Sequence, residues 1–345
     1  MLGGILSDVL LRQVPDQLLS GVGSGQFKVY GSIIRSLADG RIVGHLQETS
    51  GFTRLALMPA TLPLQAVGLG LDVVGHSLSF VQNEQIKAAV SVVHQLGIAN
   101  LAVATAGIGI SVAGFALLSA KIGQVEAKVD AMTDTLAAIA RGVDTLRRDR
   151  IADDFSRLKT ISQQMDDGWS LSDGHSQWRQ VASEAHILAN MFERRAAEFL
   201  AAPMTDSLAA EPFIEAVAMA GGTRVAARLA TGDDAAARRA ADETAHQLTE
   251  LVSAIDPTEA VLTRVRAGKV QPGSREWGAA LSSAAETVSS AMEALRDRQV
   301  SAATTTLTLE ELHTRGIRGR DWIELARQEE LSPFICLLPR ECGPA

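Results

Sequence analysis

The feature that most constrains this chain is a long interior stretch without charge. Between Lys87 and Lys121 lie 33 residues with no Asp, Glu, Lys or Arg, and His94 is the only ionisable side chain among them. The stretch is densest from Leu96 to Ala120. As a single helix those residues would extend about 37 Å at ~1.5 Å per residue. A bilayer core of about 30 Å takes roughly 20 apolar residues, so the length suffices for one crossing. Folded back at Gly107-Ile108-Gly109, it would give two legs that enter one leaflet without spanning it. A chain with such a stretch must either wrap it inside a large helical core or give it to lipid, and both readings start from the same residues.

The side chains in this stretch are unusually small. Ala102-xxx-Ala106 and Gly109-xxx-Ala113 are spaced so that two helices can approach closely where lipid supplies no hydrophobic drive. The larger side chains are Leu96, Leu101, Val103, Ile108, Ile110, Val112, Phe115, Leu117 and Leu118. With Gly107 and Gly109 at the centre, these are the expected membrane-inserting residues.

Both flanks carry heptads. Leu64, Val67, Leu71, Val74, Leu78 and Val81 recur at alternating steps of three and four. After the uncharged run Ile122, Val125, Val129, Met132, Leu136, Ile139, Val143 and Leu146 repeat the pattern without a break, and they are the expected oligomerisation seam. The phase slips at "RRDR" (147–150) and resumes as Ile151, Phe155, Leu158, Ile161 and Met165. A helix packed in a globular core uses a wider apolar stripe, so the narrow seam points to a coiled coil.

Amphipathic arms on either side of an uncharged segment, over residues 64–165, resemble the layout of α-helical pore-forming toxins of the cytolysin A and haemolysin BL type. The resemblance is one of layout, and it implies an apolar segment held against a helical body until oligomerisation releases it into a membrane. The β-rich start and the large C-terminal region have no counterpart in that family.

Elsewhere the patterning is that of an ordinary folded protein. In 345 residues, 46% are hydrophobic, 21% charged and only 4% aromatic, a balance that leans towards close-packed helices. A net charge of −8 without a basic stripe argues against nucleic-acid binding. The opening "MLGGILSDVLLRQVPDQLLSG" has no basic n-region and reads as a short amphipathic helix, not a signal peptide, so the chain is expected to be cytoplasmic when made and membrane-associated afterwards. "GVGSG" (21–25) reads as a joint. Two β-branched runs around Asp39-Gly40 predict a hairpin, with a third strand over 52–58. Three regions are expected: 1–63 with the short helix and β-hairpin, 64–167 with the arms and apolar segment, and 168–345 as a C-terminal helical domain. In that domain helices are expected over 170–200, closed by Pro203, then over 206–219, 233–254, 274–298 and 319–330. Asp256-Pro-Thr-Glu259 forms a capping box at the start of another. The fold class is therefore mainly α: a long helical hairpin, a small N-terminal β-hairpin and a C-terminal bundle.

Catalytic patterns are lacking. There is no Walker loop, nucleophile elbow, HExxH motif or Cys/His cluster, and no cofactor or metal is expected. Glu243/His246 and Glu310/His313 have the spacing of di-iron ligands, but Thr308 and Glu311 read as a capping box that would put Glu310 in a first turn. Cys336 and Cys342 near the C-terminus support a disulfide only weakly. The four tryptophans read as packing anchors, and "ERRAAEF" with "RGIRGRDW" offers a patch for a protein partner. The expected function is a non-enzymatic, membrane-active effector whose partners are membrane lipid and further copies of itself. A coiled-coil scaffold or a constitutively anchored structural protein is the alternative.

Overall fold

A computed structural model of the chain describes residues 10–11, 13–52, 92, 145–202 and 206–339. The protein is mainly helical, with one small antiparallel sheet. The arm over 64–81, the apolar segment 96–120 and the seam residues Ile122 to Val143 lie outside the described residues.

Both ends of the chain supply the sheet. Strands β1 (Leu10–Leu11), β2 (Phe27–Tyr30), β3 (Ile33–Ser36), β4 (Ile42–Glu48) and β5 (Phe334–Leu337) lie in the order β1-β5-β4-β3-β2, all antiparallel. The expected hairpin at Asp39-Gly40 is present between β3 and β4. Gly40 takes φ 73°, and the Asp39 carboxylate accepts from the Arg41 backbone N–H at 3.2 Å. The first β-branched run is itself split into β2 and β3 by a turn at Gly31-Ser32, where Gly31 has φ 53°.

The N-terminal expectations need correcting. Leu10 and Leu11 are strand, and helix α1 (Asp16–Gly23) begins only after Pro15 fixes its entry. The "GVGSG" segment is no free joint, since Gly21 is helical and a Cβ there would meet the Phe27 ring at 2.2 Å. Phe52, the first residue of the expected third strand, is helical together with Ser50 and Gly51, and residues 53–58 lie outside the described residues.

The sheet separates two cores, and strand alternation decides which side chain enters which. Towards α1 point Ile34, Leu46, Phe52, Phe334 and Cys336, packed on Val14, Leu18 and Leu19, with Val92 half-buried against them. Towards the helices point Ile335 and Leu337. Leu46↔Cys336 and His45↔Leu337 are facing pairs in the β4–β5 register, so β5 is buried on both sides.

The helical side contains α2 (Thr145–Asp167), α3 (Gly174–Ala201), α4 (Glu211–Ala230), α5 (Asp234–Ser253), α6 (Pro257–Ala267), α7 (Trp277–Thr314) and α8 (Gly319–Gln328). Their order follows from local signals. Asp173 caps α3, and Asp256 caps α6 by accepting from the N–H groups of Thr258 and Glu259. Asp256→Ala should lower unfolding stability by about 1 kcal/mol in urea titration, a typical cap loss; no change would show that water satisfies those donors equally well. Small residues let α4 and α5 approach closely. A Cβ on Gly221 would lie 2.4 Å from the Thr244 side chain, and Ala220, Ala240 and Ala241 are buried in the same core.

Helix α2 carries the seam after the "RRDR" slip. Phe155, Leu158, Ile161 and Met165 are buried against α3 and α4, with Phe155 against Phe192 and Phe213 at ring separations of 4.8 and 6.3 Å. This half of the periodicity thus builds the protein's own core. Arg195 of α3 pairs with the buried Asp154 of α2, and Arg157 of α2 with Glu184 of α3, tying the two helices together. Helix α7 runs to Thr314, past the expected end at 298, because no Gly or Pro interrupts it.

Candidate functional site: a polar joint between sheet and helix

The face of β4 turned to the helices presents His45 and Gln47, two polar residues where an apolar pair would pack more simply. Opposite them, α7 presents Ser301, Thr304, Thr305 and Thr308, a hydroxyl stripe at helical spacing. The Ser32 N–H donates to Thr304 Oγ1 at 3.0 Å. Thr308 Oγ1 lies 3.0 Å from both Ser32 Oγ and His45 Nδ1. The Trp322 indole N–H from α8 donates to Gln47 Oε1 at 3.3 Å.

One proton decides the directions. Thr308 Oγ1 donates to the Thr304 carbonyl at 3.2 Å, so it accepts from Ser32 and from His45, and the network assigns His45 the Nδ1–H tautomer. Burial holds the imidazole neutral, pushing its pKa from 6.5 down to about 4, with Glu311 opposing and Arg315 reinforcing the shift. The hydroxyls of Ser32 and Thr308 are buried, so the cluster as it stands joins two layers and presents no accessible nucleophile.

This gives the joint a pH dependence with a definite sign. The unfolded state takes up the His45 proton near pH 6.5 and the folded state only near 4, so the stabilisation present above 6.5 is lost progressively between those values. The loss is about 3 kcal/mol at ~1.4 kcal/mol per pK unit. His45→Asn keeps a donor towards Thr308 and removes the titration. The difference between wild-type and variant unfolding free energies should therefore fall as pH drops from 6.5 to 4, and a flat difference would refute the assignment.

Thr308 is where the sequence reading goes wrong. Thr308 and Glu311 match a capping box but stand inside α7, so Glu310 is not in a first turn. Glu310 and His313 are exposed near the helix end, while Glu243 pairs with Arg224 and His246 with Glu250 on the surface of α5. Among the described residues no three His, Cys, Asp or Glu side chains cluster closely enough to hold a metal. The hydroxyl stripe itself was legible as Ser301, Thr304, Thr305 and Thr308 at i, i+3, i+4 and i+7. His45 carried no such signal.

The remaining expected groups fall as follows. The membrane-inserting residues from Leu96 to Leu118 and the seam from Ile122 to Val143 lie outside the described residues; Leu146 belongs to the backbone of α2. Trp178 and Trp322 are buried anchors, and the Trp178 indole donates to the Met165 carbonyl at 3.0 Å. The basic patch is largely engaged within the protein. Arg195 pairs with Asp154, Arg315 with Glu311, Arg318 with Asp321 and Arg320 with Glu324, while the Arg320 guanidinium stacks over the Trp169 ring. Cys336 is a free, buried thiol pushed up to about 12 by desolvation; Cys342 lies outside the described residues. Among the described residues no helix is long and apolar enough to cross a membrane.

No protein-family model, curated protein or solved structure matches this chain.

Proposed function

We propose that the protein is a membrane-active, non-enzymatic effector in which heptad arms assemble copies and residues 96–120 enter a bilayer. The observation that carries this reading is the sequence itself: 33 residues without Asp, Glu, Lys or Arg, flanked on both sides by heptad spacing.

Phase supports the assembly step. Continuing the 122–146 seam by steps of four and three reaches Arg150, Asp153, Arg157 and Thr160, all exposed on α2. The stripe that α2 buries is Ile151, Phe155, Leu158, Ile161 and Met165, roughly a quarter-turn away at about 100° per residue. The seam's spacing therefore leads to positions that α2 leaves exposed, and in this reading the seam's partner is another arm.

The test is dye release from anionic lipid vesicles, combined with fractionation of cells expressing the protein. The effector reading expects soluble protein that releases dye upon addition and is recovered with membranes afterwards. Intact vesicles at high protein dose would overturn it, and membrane recovery from synthesis onwards without leakage would favour a constitutive anchor.

A further inference from the structure

The basic pieces of the helical side are largely engaged in internal pairs, and its open apolar surface lies elsewhere. Among the described residues, Leu331 and Leu171 are two of the three most exposed large hydrophobic side chains, at 61% and 52%. Both stand in turns, Leu171 between α2 and α3 and Leu331 between α8 and β5. The two turns meet at Arg327. Its guanidinium pairs with Asp166 at 2.7 Å and lies over the Trp169 ring, 5.0 Å from the centroid.

Neither turn is slack. In the first, a Cβ on Gly174 would lie 2.2 Å from the Gly168 carbonyl oxygen, and one on Gly168 would lie 2.3 Å from the Trp178 indole nitrogen. In the second, the Glu329 carboxylate accepts from the backbone N–H groups of Leu331 and Ser332, both at 3.0 Å. The N–H groups of Thr49 and Gly51 donate to the Pro333 and Glu329 carbonyls at 3.2 and 3.1 Å. Each leucine is thus held outward on a fixed backbone, which loses little further freedom when something binds.

The rim is acidic. Over 166–173 and 327–333 stand Asp166, Asp167, Asp173, Glu329 and Glu330, against Arg327 alone. Adding the stacked Arg320 with its partner Glu324, then Arg54 and Arg179 from the adjoining sequence, leaves the balance negative.

We propose that this end of the helical body docks a cationic amphipathic segment of a partner protein. Apolar side chains of that segment lie against Leu171 and Leu331, and its Lys or Arg side chains lie on the acidic rim. Exposed apolar surface ringed by charge marks a contact site, and the sign of the ring selects the occupant. An anionic bilayer meets carboxylates of like sign here, which makes lipid the poorer match. Another copy would have to offer a basic face, and the basic pieces at 193–199 and 315–322 are largely engaged within their own chain. Trp169, half-buried beneath Arg327, and Arg327 itself are the side-chain types in which binding energy concentrates. The surface uses neither residues 96–120 nor the 122–146 seam, so its failure and that of the membrane reading are separable.

The test titrates the full chain into a labelled peptide of leucine and lysine, its leucines at i, i+3, i+4 and i+7, and into the same peptide with glutamate for lysine. The lysine peptide should bind and the glutamate peptide should not. Leu171→Ser with Leu331→Ser should weaken binding about tenfold, while Ile187→Ser, an exposed apolar residue elsewhere on α3, should leave it unchanged. Asp167→Lys should weaken binding and flatten its salt dependence, and Asp153→Lys, exposed on the same helix, should do neither. All these positions are exposed, so thermal midpoints should stay level; if the leucine variant unfolds, Asp167→Lys against Asp153→Lys decides the matter. Gly109→Arg should leave peptide binding intact. Equal binding of the two peptides, equal effects at 167 and 153, or no binding at about 0.1 mM would overturn the proposal. So would a leucine variant that keeps peptide binding and loses vesicle binding, since the surface would then meet lipid.

Discussion

Gly109→Arg is expected to abolish dye release from vesicles while the purified protein keeps its thermal midpoint. The argument starts from the 33 uncharged residues between Lys87 and Lys121, with Gly109 close to the middle of the densest part. A guanidinium at the centre of an inserted helix costs about 2.5–3.5 kcal/mol on insertion scales, and each copy in an assembly incurs it. It also places a long side chain in the small-xxx-small face formed with Ala113, where helices would otherwise approach closely. Lys or Asp should act alike, and Gly109→Ala should leave release nearly unchanged. If Gly109→Arg instead unfolds the protein, the run is a buried core helix, because an unpaired charge in a core is costly. That outcome would end the membrane reading.

Local chemistry was the part of the structure most legible in the sequence. Asp39-Gly40 and Asp256-Pro-Thr-Glu each specify a backbone geometry from a few adjacent residues, and both are found where expected. The long helix ending near residue 200 was legible through its regular apolar spacing, but its start was not: it begins at Gly174 behind the Asp173 cap, four residues later than Ser170. Strand β5 was not. "FICL" is four apolar residues whose partners Glu48 to His45 lie nearly 300 positions earlier, and pairing at that distance leaves no local mark. Thr308 and Glu311 misled because a capping pattern is only a spacing. The hydroxyl that would cap a helix instead bonds the Thr304 carbonyl and receives Ser32 and His45. The seam was half informative. Its second part fills the core from α2, while its first part, with the apolar run, lies outside the described residues.

The largest stability effect is expected midway along α7, just before its hydroxyl stripe. Arg298 there donates to the Glu215 carboxylate of α4 at 2.8 Å, with both side chains at most 7% exposed. The guanidinium Nε and Nη1 have no hydrogen-bond partner among the described residues. Bringing two charges out of water costs several kcal/mol each, and their attraction offsets this only while both are present. Glu215→Leu should therefore destabilise the protein by about 3–5 kcal/mol, by leaving a buried cation without its carboxylate. Adding Arg298→Met should recover most of the loss, because a buried pair replaced by apolar side chains of similar volume is often neutral. Denaturant titration of both variants reads the effect directly. A single-variant loss below about 1 kcal/mol, the range of solvated surface pairs, would show that water reaches the guanidinium and that the pair is no anchor. If the anchor holds, loosening it should weaken the sheet joint as well, since Thr304 and Thr308 lie within three turns of Arg298 on the same helix. The difference between wild-type and His45→Asn stabilities should then lose its pH dependence in the Glu215→Leu background, which would tie the α4–α7 contact to the sheet joint.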